Sequence, residues 1–180
     1  MRFTVLCAVV LGAVLGSRTC VAQENWKDTL RQRLPLYGHR NWIVIADSAY
    51  PAQVSPGVET IVAGADQLEV LRTVMAEVRH SAHVRPSVYL DKELSYLDDA
   101  SVSGITTYRY QLTAALGEVK PTEIAHEQII SKLDEAGKTF RVLIIKTNMT
   151  MPYTSIFLQL DCAYWTPEQE QQLRTKMGSR

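Results

Sequence analysis

Cysteine is scarce in this sequence, and charge of one sign is not in excess. Cysteine occurs three times in 180 residues, at positions 7, 20 and 162. Cys7 and Cys20 fall in an N-terminal stretch that reads as removable. Its loss leaves Cys162 alone and excludes an intramolecular disulfide framework in the remaining domain. Nineteen basic and nineteen acidic side chains cancel. Without a basic patch the electrostatic footprint of a nucleic-acid-binding protein is missing, as is a net attraction to an anionic membrane surface. The apolar run TVLCAVVLGAVLG at 4–16 has thirteen residues, short of the ~20 that a membrane-spanning helix needs. No GxGxxG or Walker loop occurs, and no GxSxG elbow, so the usual dinucleotide, nucleoside-triphosphate and serine-hydrolase signatures are absent. Metal-ligand spacing is equally thin. His80 and His83 stand close together in HSAH, but no cysteine or further histidine accompanies them, and Arg79 and Arg85 repel a cation. The pair reads as a solvated helix end, not a metal site.

What is present begins with an export pattern. Met1-Arg2-Phe3 supplies a positive charge, the apolar run follows, and SRTCVA brings small residues to a cleavage point after Ala22. This is the three-part order of a signal peptide. Residues 1–22 are thus expected to be removed and residues 23–180 to form one exported domain, periplasmic or secreted, with no membrane attachment after cleavage. A chain of that length buries a core without disulfides.

Along that domain, helix and strand periods alternate. ENWKDTLRQRLPLYG reads as a short helix, with Trp26, Leu30 and Leu34 at fourfold spacing and Pro35 as its stop. WIVIAD, 42–47, is a continuous apolar run rich in β-branched residues, the pattern of a strand buried on both faces. VETIVAG is a second strand. DQLEVLRTVMAEVRH is the clearest helix, its stripe formed by Leu68, Leu71, Val74, Met75 and Val78 behind an Asp66 N-cap. PSVYLD is a third strand, TTYRYQLTAAL a helix ended by Gly117, and TEIAHEQIISKLDEAGKTF a short strand or turn followed by a helix capped at Gly137. FRVLIIK and SIFLQLD are further strands, and the polar tail TPEQEQQLRTKMGSR is expected to fray as a helix. This alternation predicts an α/β domain of three layers, with helices on both sides of a largely parallel sheet.

Sites in such sheets form beyond the carboxyl ends of strands. Asp47 sits at one, while His39, in the Gly-His turn before the same strand, belongs to the other end. Six residues of strand span roughly 20 Å, so one chain keeps the two apart. Both have structural readings: a histidine beside a turn glycine often satisfies a backbone carbonyl, and an aspartate after a strand often caps the next turn. His126 doubles as a helix start, Tyr153 as a packing residue, and Cys162 as a buried inert thiol.

Three segments in order change the weighting. LYGHRNWIVIADSAYP resembles the Leu-Gly-His, apolar strand, Asp, small residues, Pro sequence of the ribose pyranase and fucose mutarotase family. AHEQI is similar to its Thr-His-Glu-Gln-Phe, and MPYTSIFLQLDCAYW to its Ser-Pro-Tyr-Ala-Asn with an apolar strand and an aromatic end. Order and spacing agree from about residue 34 to 165. The resemblance implies a small α/β fold assembled into homo-oligomeric rings, pentamers or decamers, with sites at subunit contacts. It implies a monosaccharide partner such as ribose or fucose, and no metal or organic cofactor. Carried over by position, His39 is the proton donor, Asp47 and His126 bind sugar, and Tyr153, Thr154 and Ser155 match a Tyr-x-Asn contact. Lys146 stands where the family has arginine and is carried over with them as a sugar-binding residue.

Ser155 in place of asparagine removes an amide donor, and IIKTNMT has no counterpart to the family's glutamate. Two functions are therefore carried forward. One is an exported isomerase that interconverts cyclic forms of a monosaccharide by general acid/base ring opening. The other is a non-catalytic sugar-binding or structural ring protein on the same fold.

Overall fold

The computed structural model describes residues 25–178; the export segment, with Cys7, Cys20 and the Ala22 cleavage point, lies outside them. Helix α1, Trp26–Arg33, starts at an Asn25 side-chain cap. Pro35 does not end the helical path. It occupies the first turn of a 3₁₀ segment, Leu34–Leu36, where its missing N–H costs nothing. Strand β1, Trp42–Ala46, is buried at every position, as the unbroken apolar run predicts. Strand β2, Val58–Val62, leads to helix α2, Gln67–His80, capped by the Asp66 carboxylate on the N–H groups of Leu68 and Glu69. Strand β3 is longer than the sequence suggests, Val84–Asp91, and a 3₁₀ segment at Lys92–Tyr96 follows it. Helix α3, Ile105–Leu116, strand β4, Thr122–Ile124, helix α4, His126–Thr139, strand β5, Val142–Lys146, strand β6, Ile156–Cys162, and the exposed helix α5, Pro167–Gly178, complete the chain.

The six strands form one sheet in the order β2-β5-β1-β6-β3-β4. Its β1–β5, β2–β5 and β3–β4 pairs are parallel, while β6 runs antiparallel to both β1 and β3. Five strands therefore point one way and β6 alone opposes them. Side chains alternate between two cores. Ile43 and Ile45 face a core shared with α1, α2 and α3, and Trp42, Val44 and Ala46 face one built with Ile129 and Leu133 of α4. The three-layer, largely parallel α/β architecture is thus what forms.

One expectation needs correction. Gly137 is inside α4, not at its end, where Phe140 takes the cap position. There it serves close packing: a Cβ on Gly137 would lie 3.0 Å from Val58 Cγ2.

Candidate functional site

The reversed strand decides what meets at each rim of the sheet. Five strands end at one rim, and there β6 begins. Its leading residues Tyr153, Thr154 and Ser155 are delivered beside the ends of β1 and β3. Reading along that rim in strand order gives Lys146 at the end of β5, Asp47 after β1, Ser155 before β6, Asp91 at the end of β3, and His126 just past β4. Neighbouring strands are about 4.8 Å apart, so these side chains form a continuous row.

Each has a defined setting. Ser155 Oγ donates to Asp47 Oδ2 at 2.8 Å and accepts from the Asp47 N–H at 3.1 Å, while Asp47 Oδ1 accepts from the Ala49 N–H at 2.9 Å. Lys146 Nζ donates to the Tyr50 carbonyl at 2.7 Å, closing the loop after β1. Burial, with Asp134, Asp91 and Asp47 adding to it, pushes the Tyr50 phenol above its ordinary value. The His126 ring meets Tyr153 edge-on with centroids 5.5 Å apart. Tyr153 has φ +57°, and only Arg40, next to His39, is another non-glycine residue at positive φ among the described residues. Such conformations cost about 1–3 kcal/mol and persist where the surroundings enforce them.

Thr154 supports this row from behind. Its side chain is fully buried, and its hydroxyl donates to the Met151 carbonyl at 2.7 Å. Its own carbonyl accepts from Gln67 Nε2 at 3.0 Å and from the Tyr108 hydroxyl at 3.1 Å, and Tyr108 also donates to Gln67 Oε1 at 2.9 Å. This buried network, invisible in the sequence, holds the Tyr153–Ser155 segment. The Thr154 side chain thus braces the rim and does not line its surface.

Asp91 is the candidate site residue that sequence reasoning missed. Its side chain is 1% exposed, with Oδ2 3.2 Å from His126 Nδ1. Neither carboxylate oxygen has a well-aligned hydrogen-bond donor. Burial pushes the Asp91 carboxyl above its ordinary value. His126 opposes the rise, and Glu93 and Asp47 add to it. A buried carboxylate so poorly satisfied is costly, and its place beside His126 makes this part of the rim a candidate site. The only sequence signal was its position at a strand end, which Asp161 shares.

That cost gives a measurable sign. A carboxyl whose folded pKa exceeds its unfolded value makes the folded chain bind the proton more tightly. The contribution of this one group to stability is then greatest below about pH 3.9 and declines as pH rises through the raised folded value. Asp91→Asn removes the decline. In thermal melts it unfolds above the wild type at pH 7, each kcal/mol appearing as about 2–4 °C, and the gap closes toward pH 4. Melting below the wild type at pH 7 would show that His126 fully compensates the charge.

His39 lies at the opposite rim, roughly 17 Å of strand away. It is 56% exposed, and its Nδ1 is 2.9 Å from Asp161 Oδ1. It borders a recess of about 540 Å³ with Arg40, Trp42, Glu135, Phe140 and Gln159. On its other side a recess of about 420 Å³ includes Arg85, Cys162 and Trp165. Cys162 is therefore partly exposed and not the buried thiol expected. His80 and His83 hydrogen-bond to the backbone carbonyls of Ala76 and Tyr37.

The model of the RbsD / FucU transport protein family matches residues 26–163. The chain belongs to that family. Solved structures agree at the level of fold. RbsD of Bacillus subtilis complexed with D-ribose superposes with a TM-score of 0.53 at 19% identity, covering 85% of this chain and 98% of its own. Fucose mutarotase of Streptococcus pneumoniae in complex with L-fucose gives 0.52 at 21% identity, covering 77% and 95%. FucU of Bifidobacterium longum gives 0.51 at 15% identity, covering 74% and 92%. Among curated proteins none matches the sequence. The RbsD / FucU match ends at residue 163, so helix α5 lies beyond it.

Proposed function

We propose that this RbsD / FucU member is a monosaccharide mutarotase or pyranase-like isomerase working in a homo-oligomer, a pentamer or decamer. In this reading residues 1–22 direct its export and residues 23–180 act in the periplasm or outside the cell. The observation that carries it is the row of polar side chains along one rim, with the buried Asp91 behind His126 and the strained Tyr153 in front.

Opening a cyclic hemiacetal takes the proton from the anomeric hydroxyl, breaks the bond from the anomeric carbon to the ring oxygen, and delivers a proton to that oxygen. The result is a free carbonyl that recloses on the other face or through another hydroxyl. Asp47 accepts from sugar hydroxyls, for which a carboxylate is a strong partner, and Ser155 lies beside it. The Tyr153 ring packs against the apolar face of the sugar. His126, backed by Asp91, binds the sugar at the far end of the row. Lys146 keeps the loop after β1 in place. His39 is the proton donor, since imidazole works in both directions near neutral pH. The span of β1 keeps His39 from the Asp47 rim of its own chain, so the reading requires His39 of a second copy. The relatives whose structures hold D-ribose and L-fucose supply the substrate class.

The test is exchange NMR on residues 23–180 with ribose, fucose and related sugars. Faster exchange between anomers or ring forms supports the isomerase. A second reading, a sugar-binding ring protein without catalysis, is favoured by Asp47, both of whose oxygens already accept hydrogen bonds within the chain. Saturation transfer to a sugar without any acceleration would establish it instead.

A further inference from the structure

Resting on the isomerase reading, we propose that Asp161, clamped by Arg85, is the positioning residue for His39: it holds the imidazole as the Nδ1–H tautomer and presents Nε2 to the sugar. The carboxylate is held from three sides. Arg85 and Asp161 are register partners on antiparallel β3 and β6, and Arg85 Nη2 donates to Asp161 Oδ2 at 3.1 Å. The other oxygen, Oδ1, accepts the Cys162 N–H at 2.8 Å and faces His39 Nδ1 at 2.9 Å. Arg85 is itself fixed by the Trp165 carbonyl, 3.4 Å away. With both oxygens committed the carboxylate cannot turn away, and His39 Nδ1 meets an acceptor.

The turn carrying His39 is also held in place. Asn41 Oδ1 accepts the Gly38 N–H at 2.7 Å, and the Arg40 N–H donates to the Leu160 carbonyl at 2.9 Å, which ties the Gly38–Asn41 turn to the end of β6. The charged groups bordering His39 are Arg40, Lys132 and Glu135 on the α4 side, and Arg85, Asp161 and Glu170 on the β6 and α5 side. Of these, Asp161 makes the contact. Burial pushes the Asp161 carboxyl up, but the Cys162 N–H, Arg85 and His39 outweigh it and hold it below the ordinary value. It therefore stays an acceptor throughout the working range.

The consequence for the chemistry is directional. An imidazole with its proton on Nδ1 has a lone pair on Nε2, and Nε2 both takes and returns the proton that moves during ring opening. Asp161 changes no protonation state in this cycle. It decides which nitrogen is available and stabilises the ring while it carries two protons. Asp161 read in the sequence as the polar end of a strand, because its partners lie 76 and 122 residues away and only the antiparallel return of β6 brings them together.

The experiment uses residues 23–180 labelled with ¹⁵N at histidine. Long-range ¹H–¹⁵N spectra at a pH where the imidazole is neutral report which nitrogen bears the proton. His39 is expected to show the Nδ1–H pattern in the wild type and to lose it in Asp161→Ala. The sugar-exchange rate of that variant falls by roughly tenfold or more, less than the loss on removing His39. Glu170→Gln, across the same recess, leaves tautomer and rate unchanged. A wild-type His39 in the Nε2–H form, or a tautomer that survives Asp161→Ala, overturns the assignment. A tautomer that changes as stated in a protein with no sugar exchange supports the assignment and sinks the isomerase reading alone.

Discussion

Subunits carrying His39→Ala and subunits carrying His126→Ala, unfolded and refolded together in equal amounts, are expected to regain sugar-exchange activity that neither has alone. Each variant by itself loses roughly 10²-fold or more, the usual worth of a positioned proton donor or its partner. Under the proposed assembly each composite site of a mixed ring would draw one rim from one subunit and the other rim from its neighbour. Random assembly then restores both histidines at about a quarter of the sites, as a head-to-tail contact requires. The prediction follows from β1. Its five buried residues place His39 and the Asp47 row at opposite ends of a rigid strand, and no side-chain rotation spans that length. Both substituted side chains are partly exposed, so circular dichroism should remain that of the wild type. His39→Ala should also melt with it, whereas His126→Ala, which leaves the buried Asp91 without its partner, should melt lower but stay folded at the assay temperature. A mixture no more active than its parents, with folding intact, would place the reaction within one chain or remove His39 from it.

The parts of this protein that were legible in its sequence are those governed by local period. The β1 run, the α2 stripe and its Asp66 cap formed where the pattern predicts them. Gly117 ended α3 as expected. His39 and Asp47 could be assigned to opposite strand ends because strand length is a matter of counting. What could not be read was set by long-range pairing. The antiparallel direction of β6 has no local signature, yet it brings Ser155 to Asp47 across 108 residues and Asp161 to His39 across 122. Asp91 was overlooked because a strand-end aspartate looks the same in a chain whether solvent or a buried histidine lies beyond it. Thr154 fell within a matched motif, but only the Gln67 and Tyr108 network explains why it faces inward.

Glycine at position 57 should prove the least replaceable glycine among the described residues, and the reason lies equally far from the local pattern. Pro56-Gly57 reads as loop punctuation, the setting in which alanine is usually tolerated. In the folded chain the Gly57 N–H donates to the Gly137 carbonyl at 3.1 Å and its own carbonyl accepts from Val142 at 2.9 Å. The start of β2 is thereby stitched to both α4 and β5. A Cβ at Gly57 would lie 2.3 Å from the Phe140 carbonyl oxygen and 2.4 Å from that of Gly137. Both are backbone atoms, so no rotamer change relieves the overlap. The last turn of α4 must lift, or the two hydrogen bonds must open. Overpacking of this kind costs roughly 3 kcal/mol, and Gly57→Ala is expected to melt about 6–12 °C below the wild type. Gly38→Ala is the matched control. A Cβ there meets nothing within 4 Å, so its stability should stay within about 0.5 kcal/mol of the wild type. Equal melting of the two variants would mean that α4 yields at its C-terminal end without loss. Helix α4 covers the face of β1 that carries Trp42, Val44 and Ala46 and begins at His126 itself. A lifted α4 would therefore carry the strain to the rim, and Gly57→Ala should slow sugar exchange at temperatures where the chain is still folded.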